Sequence, residues 1–311
     1  MKINEFHARW RNTASTRGHY QRIDADHPLD FFIGEDSEKF KELLLITDYE
    51  PSKLQSGKSV EVVKRKRSND GRWVMQIRLV RQEHEDVFIH LCWDLIESSR
   101  EAITKLQGLG TVLTRFVKWQ KLMEYGSGCL SDEVIKGIIG ELTYARTLLG
   151  KLNLDTIVSS WLGPEGADRD FVFNDTWTEV KAISTGKLTI DITSIEQLDT
   201  SVEGILAVVI VDDTSPTDGQ GSSFASVIND FKALLKASPD ALYHFEDKLV
   251  SLGYYDRKEY DEKFYILGKI RFFVVDNNFP RLTRGTVRNE IARVRYEILL
   301  QAIADWEIEV T

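Results

Sequence analysis

Two acidic residues and a lysine in the middle of the chain have the types and spacing needed for metal-dependent phosphate chemistry. Asp170 opens an apolar stretch, a turn follows at 174–176, and Glu179 and Lys181 lie two apart in the next apolar stretch. Residues two apart in a strand share one face, and a hairpin of this length brings Asp170 beside Glu179. A divalent cation such as Mg²⁺ removes the repulsion between two close carboxylates, and Lys181 can orient a bound water.

The pair Glu179 and Lys181 is one of five acidic-x-Lys triplets in the chain. The other four are Asp230/Lys232, Glu246/Lys248, Asp256/Lys258 and Asp261/Lys263. Those four lie on predicted helices or in a charged stretch at 256–263, where solvated surface is expected. Glu179 and Lys181 instead lie on a predicted buried strand. Their spacing fits an active site and a structural ion pair equally well.

A helix predicted at 131–149 places a further carboxylate near this pair. Ser131 has the type of an N-cap, and the apolar residues that follow are spaced for one buried face. At 100° per residue Glu141 falls at the edge of that face. The neighbouring Gly137 and Gly140 would let a strand or a phosphate backbone approach closely. The alternative is a border glutamate that reaches out to water.

The C-terminal half alternates between strand and helix patterns. Strands are predicted at 156–161, 170–173, 177–183, 187–193, 205–211, 264–275 and 293–300. Helices are predicted at 223–236, 240–252 and 284–291, and Ser194 caps a short helix that carries Gln197. This order indicates an α/β or α+β core.

Residues 1–95 read as a β-rich domain that forms an antiparallel meander. Strands are predicted at 43–47, 59–67, 73–80 and 87–92, and the pair Asp70 and Gly71 is a strong hairpin signal. A helical pattern at 96–126 reads as a connector. The predicted domains are therefore 1–95, a connector at 96–130, and 131–311.

Composition limits the classes of protein that fit. The chain has 311 residues, 42% of them hydrophobic, and a formal charge of −9, which excludes a disordered chain and a protein that coats nucleic acid passively. Two cysteines, Cys92 and Cys129, make neither a disulfide framework nor a zinc cluster. The N-terminus has no signal-peptide core, and the longest apolar run, 205–211, cannot span a membrane. We expect a soluble, cytoplasmic protein without membrane partners.

The ordered set of these segments resembles the PD-(D/E)XK phosphodiesterase superfamily, which has the restriction-endonuclease-like fold. It is most similar to the bacterial PD-(D/E)XK family found in phage-defence and modification gene clusters. The segments that carry the resemblance are 137–142, Asp170-Phe171, Glu179-Val180-Lys181, 194–198, 279–281 and 294–296. The resemblance implies an αβββαβ core behind the N-terminal β-rich domain.

The resemblance also implies roles for individual residues. Asp170 and Glu179 would be metal ligands, with the backbone carbonyl of Val180 as a third, and Lys181 would position the attacking water. Glu141 would support the metal site from the first core helix.

Gln197, at the start of the following helix, would touch the water or the scissile phosphate. The family's proline before the motif aspartate is replaced here by Arg169. Asp168 is a rival ligand to Asp170, which is preferred because an apolar strand follows it directly.

The function implied is a Mg²⁺-dependent DNA endonuclease of a bacterial restriction or phage-defence system, with Mn²⁺ as a substitute for Mg²⁺. The net negative charge suggests that the chain does not hold DNA tightly by itself, and that a partner ATPase, helicase or methyltransferase recruits it to DNA. Because double-strand cleavage often needs two active sites, a homodimer is one consistent assembly. The alternative is a non-catalytic scaffold or DNA-binding subunit, which the presence of Asp170, Glu179 and Lys181 disfavours.

Two basic runs are candidates for phosphate contacts. They contain Lys64, Arg65, Lys66 and Arg67 in the first run, and Arg281 and Arg284 in the second. The alternative for the first run is an edge strand protected by its charges against aggregation. The six histidines are interpreted as structural or surface residues, because none shows His-x3-His spacing. They are His7, His19, His27, His84, His90 and His244.

Overall fold

The computed structural model describes residues 3–13, 20–36, 38–52, 54–125, 129–216 and 219–309. The chain divides into two compact units, Met1–Gly128 and Cys129–Thr311. Both units mix helices with antiparallel or mixed sheets, so the chain has a mixed α+β architecture. Within the described residues no helix combines the length and the apolar character needed to cross a membrane.

Among its described residues, the first unit has a five-stranded antiparallel sheet and three α-helices. The strands are β1 Gln21–Arg22, β2 Asp30–Glu35, β3 Lys41–Thr47, β4 Val60–Lys66 and β5 Trp73–Leu79, in the spatial order β1-β2-β3-β5-β4. The helices are α1 Ile3–Thr13, α2 Glu85–Ser98 and α3 Lys105–Tyr125. The predicted strands at 43–47, 59–67 and 73–80 are confirmed. The hairpin between the last two is also confirmed, with Gly71 at φ +71°.

The strand predicted at 87–92 is wrong, because these residues lie in α2 and all six are buried. A continuous apolar run suits a helix buried on most sides as well as it suits a strand. Glu85 and Asp86 in the first turn favour the helix, since acidic side chains stabilise a helix N-terminus. The helical pattern at 96–126 is split, because α2 ends at Ser98 and α3 begins at Lys105.

In the part that the structure describes, the second unit is built on a six-stranded mixed sheet. Its strands are β6 Phe171–Val172, β7 Trp177–Ile183, β9 Gly204–Thr214, β10 Ser222–Ser223, β11 Phe264–Val275 and β13 Glu307–Ile308, in the order β10-β11-β9-β7-β6 with β13 beside β11. A separate pair joins β8 Thr189–Ile192 to β12 Tyr296–Leu299. The helices are α4 Asp132–Thr147, α5 Leu154–Ser160, α6 Phe224–Leu235 and α7 Pro239–Leu252.

Two apolar layers cover the faces of the central strands. Val180, Ala207 and Val209 pack with α4 on one face, whereas Trp177 and Leu206 pack on the other with β8 and β12. The run predicted at 205–211 is therefore a strand covered on both faces. On α4, a methyl group at position 140 would lie 3.2 Å from the Cβ of Ala182, so glycine there permits the close approach predicted for the helix.

Two local predictions in the second unit are wrong, and one predicted strand is longer than the observed one. Residues 156–160 belong to α5 rather than a strand, because the Asn153 side chain caps this helix by accepting a hydrogen bond from the N–H of Thr156 at 2.7 Å. Residues 284–291 form turns instead of a helix. The strand predicted at 293–300 is reduced to β12.

The remaining elements follow their sequence patterns closely. Ser131 caps α4 as predicted, accepting a hydrogen bond from the N–H of Val134. The helices predicted at 223–236 and 240–252 are α6 and α7, and the long strand predicted at 264–275 is β11. The short helix after Ser194 is a single 3-10 turn, Ile195–Gln197.

Candidate active site

The residues predicted to do chemistry meet where the β6–β7 ladder ends. The ladder pairs Phe171 with Thr178 and Val172 with Trp177, and it stops before Val180. Asp170 precedes β6 directly, and its Oδ2 accepts a hydrogen bond from the backbone N–H of Val180 over 2.8 Å. A side chain thus takes the position of the next ladder bond, which fixes the Asp170 carboxylate beside β7.

Glu179 and Lys181 project from the same face of β7, as their spacing predicts. The Lys181 Nζ lies 2.8 Å from the Glu179 Oε1. Glu179 is only 1% exposed, so this contact lies in a buried setting rather than on solvated surface. Val180 between them points into the opposite apolar layer with α4.

Gln197 joins this pair from the 3-10 turn that follows β8. Its Nε2 donates to the Glu179 Oε1 over 2.6 Å, and its Oε1 accepts from the Lys181 Nζ over 3.1 Å. The backbone N–H of Thr193 donates to the same Gln197 Oε1 over 2.9 Å. One amide therefore holds the carboxylate and the ammonium in a fixed relation.

Glu141 approaches the cluster from α4, on the side of Asp170. Its Oε2 accepts a hydrogen bond from the Trp161 Nε1 at 2.5 Å. Gly163 lies between the two acids. A methyl group there would be 2.9 Å from the Asp170 Oδ1 and 3.1 Å from the Glu141 Oε2. The border position predicted for Glu141 therefore places it at the site.

Sequence reasoning missed Trp161 and Gly163. Trp161 ends the strand predicted at 156–161, Gly163 falls in no predicted element, and no local pattern connects Trp161 to Glu141, which is 20 residues away. The one available signal is Gly163-Pro164, which marks a sharp turn directly after a large aromatic residue.

Burial raises the pKa of all three carboxyl groups. The pKa of Glu179 rises to about 8, first because of burial and then because of the negative charge of Asp170, with Lys181 acting in the opposite direction. The pKa of Glu141 is raised well above its ordinary value by burial and then by Asp170. The pKa of Asp170 is raised by burial, although the Val180 N–H opposes this. The single positive charge of Lys181 therefore does not balance the charges that the three carboxylates would carry when ionised.

The site has the features of a place for a divalent cation. The Glu179 Oε2 is buried and, among the described residues, has no hydrogen-bond partner. A buried, unpaired carboxylate oxygen is costly, and a cation would remove that cost. In the described part of the chain the three carboxylates do not bring a ligand atom each within 4.8 Å of one another. One or two of them would therefore bind directly, as is usual for Mg²⁺.

The neighbours of the motif aspartate have other roles. Asp168, the rival ligand, is exposed and lies outside the hydrogen-bonded cluster. Arg169, which replaces the family's proline, stacks 5.1 Å from the Trp177 ring and donates to the backbone carbonyl of Asp199 over 2.8 Å. These contacts favour Asp170 over Asp168 as the functional carboxylate.

The second basic run is tied into the protein around Gln197. The Arg281 guanidinium donates to the backbone carbonyls of Leu198 and Thr200 over 2.6 and 3.1 Å. The Arg284 Nε donates to the Glu196 Oε1 over 3.0 Å. Both guanidinium groups thus support the turn that carries Gln197, a use that the sequence alone does not indicate.

Lys64, Arg65 and Lys66 of the first basic run lie on β4, an edge strand of its sheet, and Arg67 directly follows this strand. Lys64 pairs with Glu50 at 2.9 Å, and Arg67 pairs with Asp70 at 3.4 Å. Arg65 and Lys66 complete the run on the same strand. An edge position fits the protective role of these charges, and the contact with phosphate stays a prediction.

Comparisons with known proteins give one match. A sequence model of the family described as "Putative PD-(D/E)XK family member (DUF4420)" matches residues 6–301. No curated protein and no solved structure matches the chain.

Proposed function

This chain belongs to the "Putative PD-(D/E)XK" family, and from that premise we propose that it is a Mg²⁺-dependent endonuclease that hydrolyses phosphodiester bonds in DNA. One observation carries the proposal. Glu179 is buried with a pKa of about 8, its Oε2 lacks a partner among the described residues, and Lys181 and Gln197 hold its other oxygen. With Glu179 ionised, such an arrangement is unfavourable unless a cation completes it.

The order of elements supports an αβββαβ core in a reduced form. In our assignment α4 is the first core helix, and the antiparallel bridge between Trp161 and Phe171 stands for the first strand. The strands β6 and β7 are the second and third. The 3-10 turn Ile195–Gln197 takes the place of the second helix, and β9 is the last strand, parallel to β7.

Asp170 and Glu179, with the carbonyl of Val180, would hold the cation. Bound Mg²⁺ would lower the pKa of a water and offset negative charge on the phosphate. Mn²⁺ would substitute because it also accepts carboxylate, carbonyl and water ligands. Glu141 lies on the Asp170 side of the site and would support the metal site from α4.

Lys181 positions the attacking water in this proposal. Its ammonium is held by Glu179 and Gln197 rather than by solvent, so its direction is set before substrate binds. A pre-oriented ammonium stabilises negative charge as it develops on the attacking oxygen and on the phosphate. Gln197 holds Lys181 and Glu179 in place, and in this proposal its amide would also touch the attacking water or the scissile phosphate.

DNA recruitment by a partner is part of the proposal. The chain carries a net charge of −9, and Arg281 and Arg284 already bind backbone carbonyls and Glu196. We propose that an ATPase, helicase or methyltransferase of a bacterial restriction or phage-defence system delivers the DNA, and that two copies act together on the two strands. The second candidate function is a scaffold subunit. It is favoured by the same observation, because Arg281 and Arg284 are engaged in contacts within the protein.

Calorimetric titration of Mg²⁺ and Mn²⁺ tests the site directly. The wild type should bind the ion, and the Asp170→Asn/Glu179→Gln variant should not. The same two samples are then incubated with plasmid DNA, alone and with the products of neighbouring genes. Binding and nicking that are both lost in the variant support a nuclease. Equal binding by both proteins would overturn the assigned site, and metal binding without cleavage in any mixture would favour the scaffold.

A further inference from the structure

A second group of metal-ligating side chains lies in the first unit, between α1 and α2. His7 on α1 and Asp86 and His90 on α2 each offer one ligand atom, and these atoms all lie within 4.8 Å of one another. The candidate active site uses none of the three. The interpretation of the histidines as structural or surface residues missed this group, because only Asp86 and His90 are close in sequence.

Helix geometry brings the three residues together. Asp86 and His90 are four residues apart on α2, so their side chains lie on the same side of the helix. The His7 ring meets the His90 ring edge to face, with the centroids 5.4 Å apart. Apolar contacts fix α1 in this position, since Phe6 and Trp10 are buried and Trp10 packs on Phe88 of α2.

The hydrogen bond of His90 suits a metal ligand. Its Nδ1 lies 2.9 Å from the backbone carbonyl oxygen of Asp86. A carbonyl oxygen can only accept, so Nδ1 carries the proton in this hydrogen bond. Histidines that bind metals typically donate their second ring N–H to a carbonyl or carboxylate, which fixes the tautomer and the ring direction.

We propose that His7, Asp86 and His90 bind a Zn²⁺ ion that joins α1 to α2. Two imidazoles and one carboxylate suit Zn²⁺, whereas Mg²⁺ prefers a shell made of oxygen alone. Asp86 is exposed and His7 half-buried, so a water has room to complete a four-ligand shell. The ion would add a cross-link between two helices that are far apart in the sequence.

Zn²⁺ titration of EDTA-treated, untagged full-length protein tests the proposal. The wild type should bind one equivalent with tetrahedral Co²⁺ absorption after substitution, and Zn²⁺ should raise its thermal midpoint. His7→Ala and the exposed Asp86→Asn should each weaken Zn²⁺ affinity at least about tenfold. His90→Ala is a weaker test, because His90 is buried and its loss can disturb packing.

Two controls separate this site from others. His244→Ala removes an exposed histidine of the second unit and should leave Zn²⁺ affinity unchanged. Asp170→Asn should reduce Mg²⁺ binding and leave Zn²⁺ binding intact, so the two metal proposals can fail independently. Wild-type Zn²⁺ affinity in His7→Ala and Asp86→Asn, or no Zn²⁺ binding by the wild type, would overturn the proposal.

Discussion

The Asp170 Oδ2 accepts the backbone N–H of Val180 over 2.8 Å, at the point where β6 stops pairing with β7. The position of the Asp170 carboxylate therefore depends on where β6 begins. If β6 began one residue earlier, the Val180 N–H would join the ladder, and Asp170 would lose the contact that directs its second oxygen toward Gly163 and Glu141. The brevity of β6 is part of how the site is built.

Replacing Lys181 with alanine should abolish most cleavage while leaving metal binding in place. Lys181 orients the attacking water in our proposal and does not bind the cation, so its loss removes stabilisation of the transition state alone. We expect a fall of about 10²–10⁴-fold in the single-turnover rate at saturating Mg²⁺. Calorimetry should give Mg²⁺ affinity equal to or above that of the wild type, since one competing positive charge is gone.

Lys187→Ala is the matched control for this change. Lys187 precedes β8, is 42% exposed at its side chain, and pairs with Asp191 at 2.9 Å. Its removal changes the net charge by the same amount without touching the cluster, and cleavage should stay within about twofold of the wild type. Equal losses in both variants would mean that overall charge, rather than Lys181 itself, governs the rate.

Without metal, the protein should become less stable as the pH rises from about 5 to 8. The pKa of Glu179 is about 8 in the folded chain and 4.5 as its ordinary value. Its contribution to stability is therefore fully present below 4.5 and is lost as the pH rises through 8. In this window the folded state holds a proton that the unfolded state has released. The free energy of unfolding falls by up to about 1.4 kcal/mol per pH unit for that proton.

Glu179→Gln should flatten this dependence. Thermal midpoints in EDTA at pH 6, 7 and 8 should fall less steeply in the variant than in the wild type, and the slope that remains comes from Glu141 and Asp170, whose pKa values are also raised. Mg²⁺ should reverse the fall in the wild type alone. Glu290→Gln, at an exposed turn, serves as the control and should keep the wild-type slope. Identical slopes in Glu179→Gln and the wild type would contradict the buried, protonated state.

The sequence is enough to predict the chemistry on β7, because one strand carries Glu179 and Lys181 and period-two spacing is a local rule. It also predicts Glu141 at a helix border. The sequence does not predict Trp161 as a site residue, because its hydrogen bond to Glu141 depends on how α5 leads into the following turn. The segment predicted as a strand at 156–161 belongs largely to α5, which the Asn153 side chain caps in the structure.

The N-terminal half shows the same limit in another form. The hairpin between β4 and β5 follows from a two-residue turn signal at Asp70 and Gly71. The run at 87–92 carries no periodicity, since every residue in it is buried, and its state is decided by what surrounds it. In both halves, local sequence patterns carry no information about long-range packing.

Arg281→Ala should destabilise the protein rather than weaken DNA binding. Arg281 donates to the carbonyls of Leu198 and Thr200, just after the turn that carries Gln197. Loss of charged donors to two carbonyls should cost about 1–3 kcal/mol in the free energy of unfolding, together with part of the cleavage rate. The exposed Arg288→Ala removes the same charge and should leave stability unchanged.

The salt dependence of DNA binding distinguishes a stabilising role of Arg281 from a direct contact with phosphate. DNA affinity is measured across a range of salt concentrations, with whichever partner supports binding. A direct phosphate contact by Arg281 would lower the slope of log affinity against log salt by about 1. We expect an unchanged slope for Arg281→Ala. A reduced slope with wild-type stability would instead assign Arg281 to the DNA-binding surface.

Gly163→Ala should block the metal site while leaving the fold intact. The added methyl group would lie 2.9 Å from the Asp170 Oδ1 and 3.1 Å from the Glu141 Oε2, and the backbone of Gly163 does not require a positive φ. One carboxylate must move away, so Mg²⁺ affinity should fall about tenfold or more, with cleavage falling in parallel. The thermal midpoint in EDTA should change little, since the methyl group also separates two acids that repel each other.

Gly285→Ala is the matched control for Gly163→Ala. Its methyl group would make an ordinary contact 3.7 Å from the Thr283 Oγ1, away from every carboxylate of the site, so metal binding and cleavage should match the wild type. Calorimetric Mg²⁺ titrations of both variants decide the point. If Gly163→Ala binds Mg²⁺ as tightly as Gly285→Ala does, then the space between Asp170 and Glu141 is not where the cation sits. The ligand set would then have to be sought on the Lys181 side of Glu179.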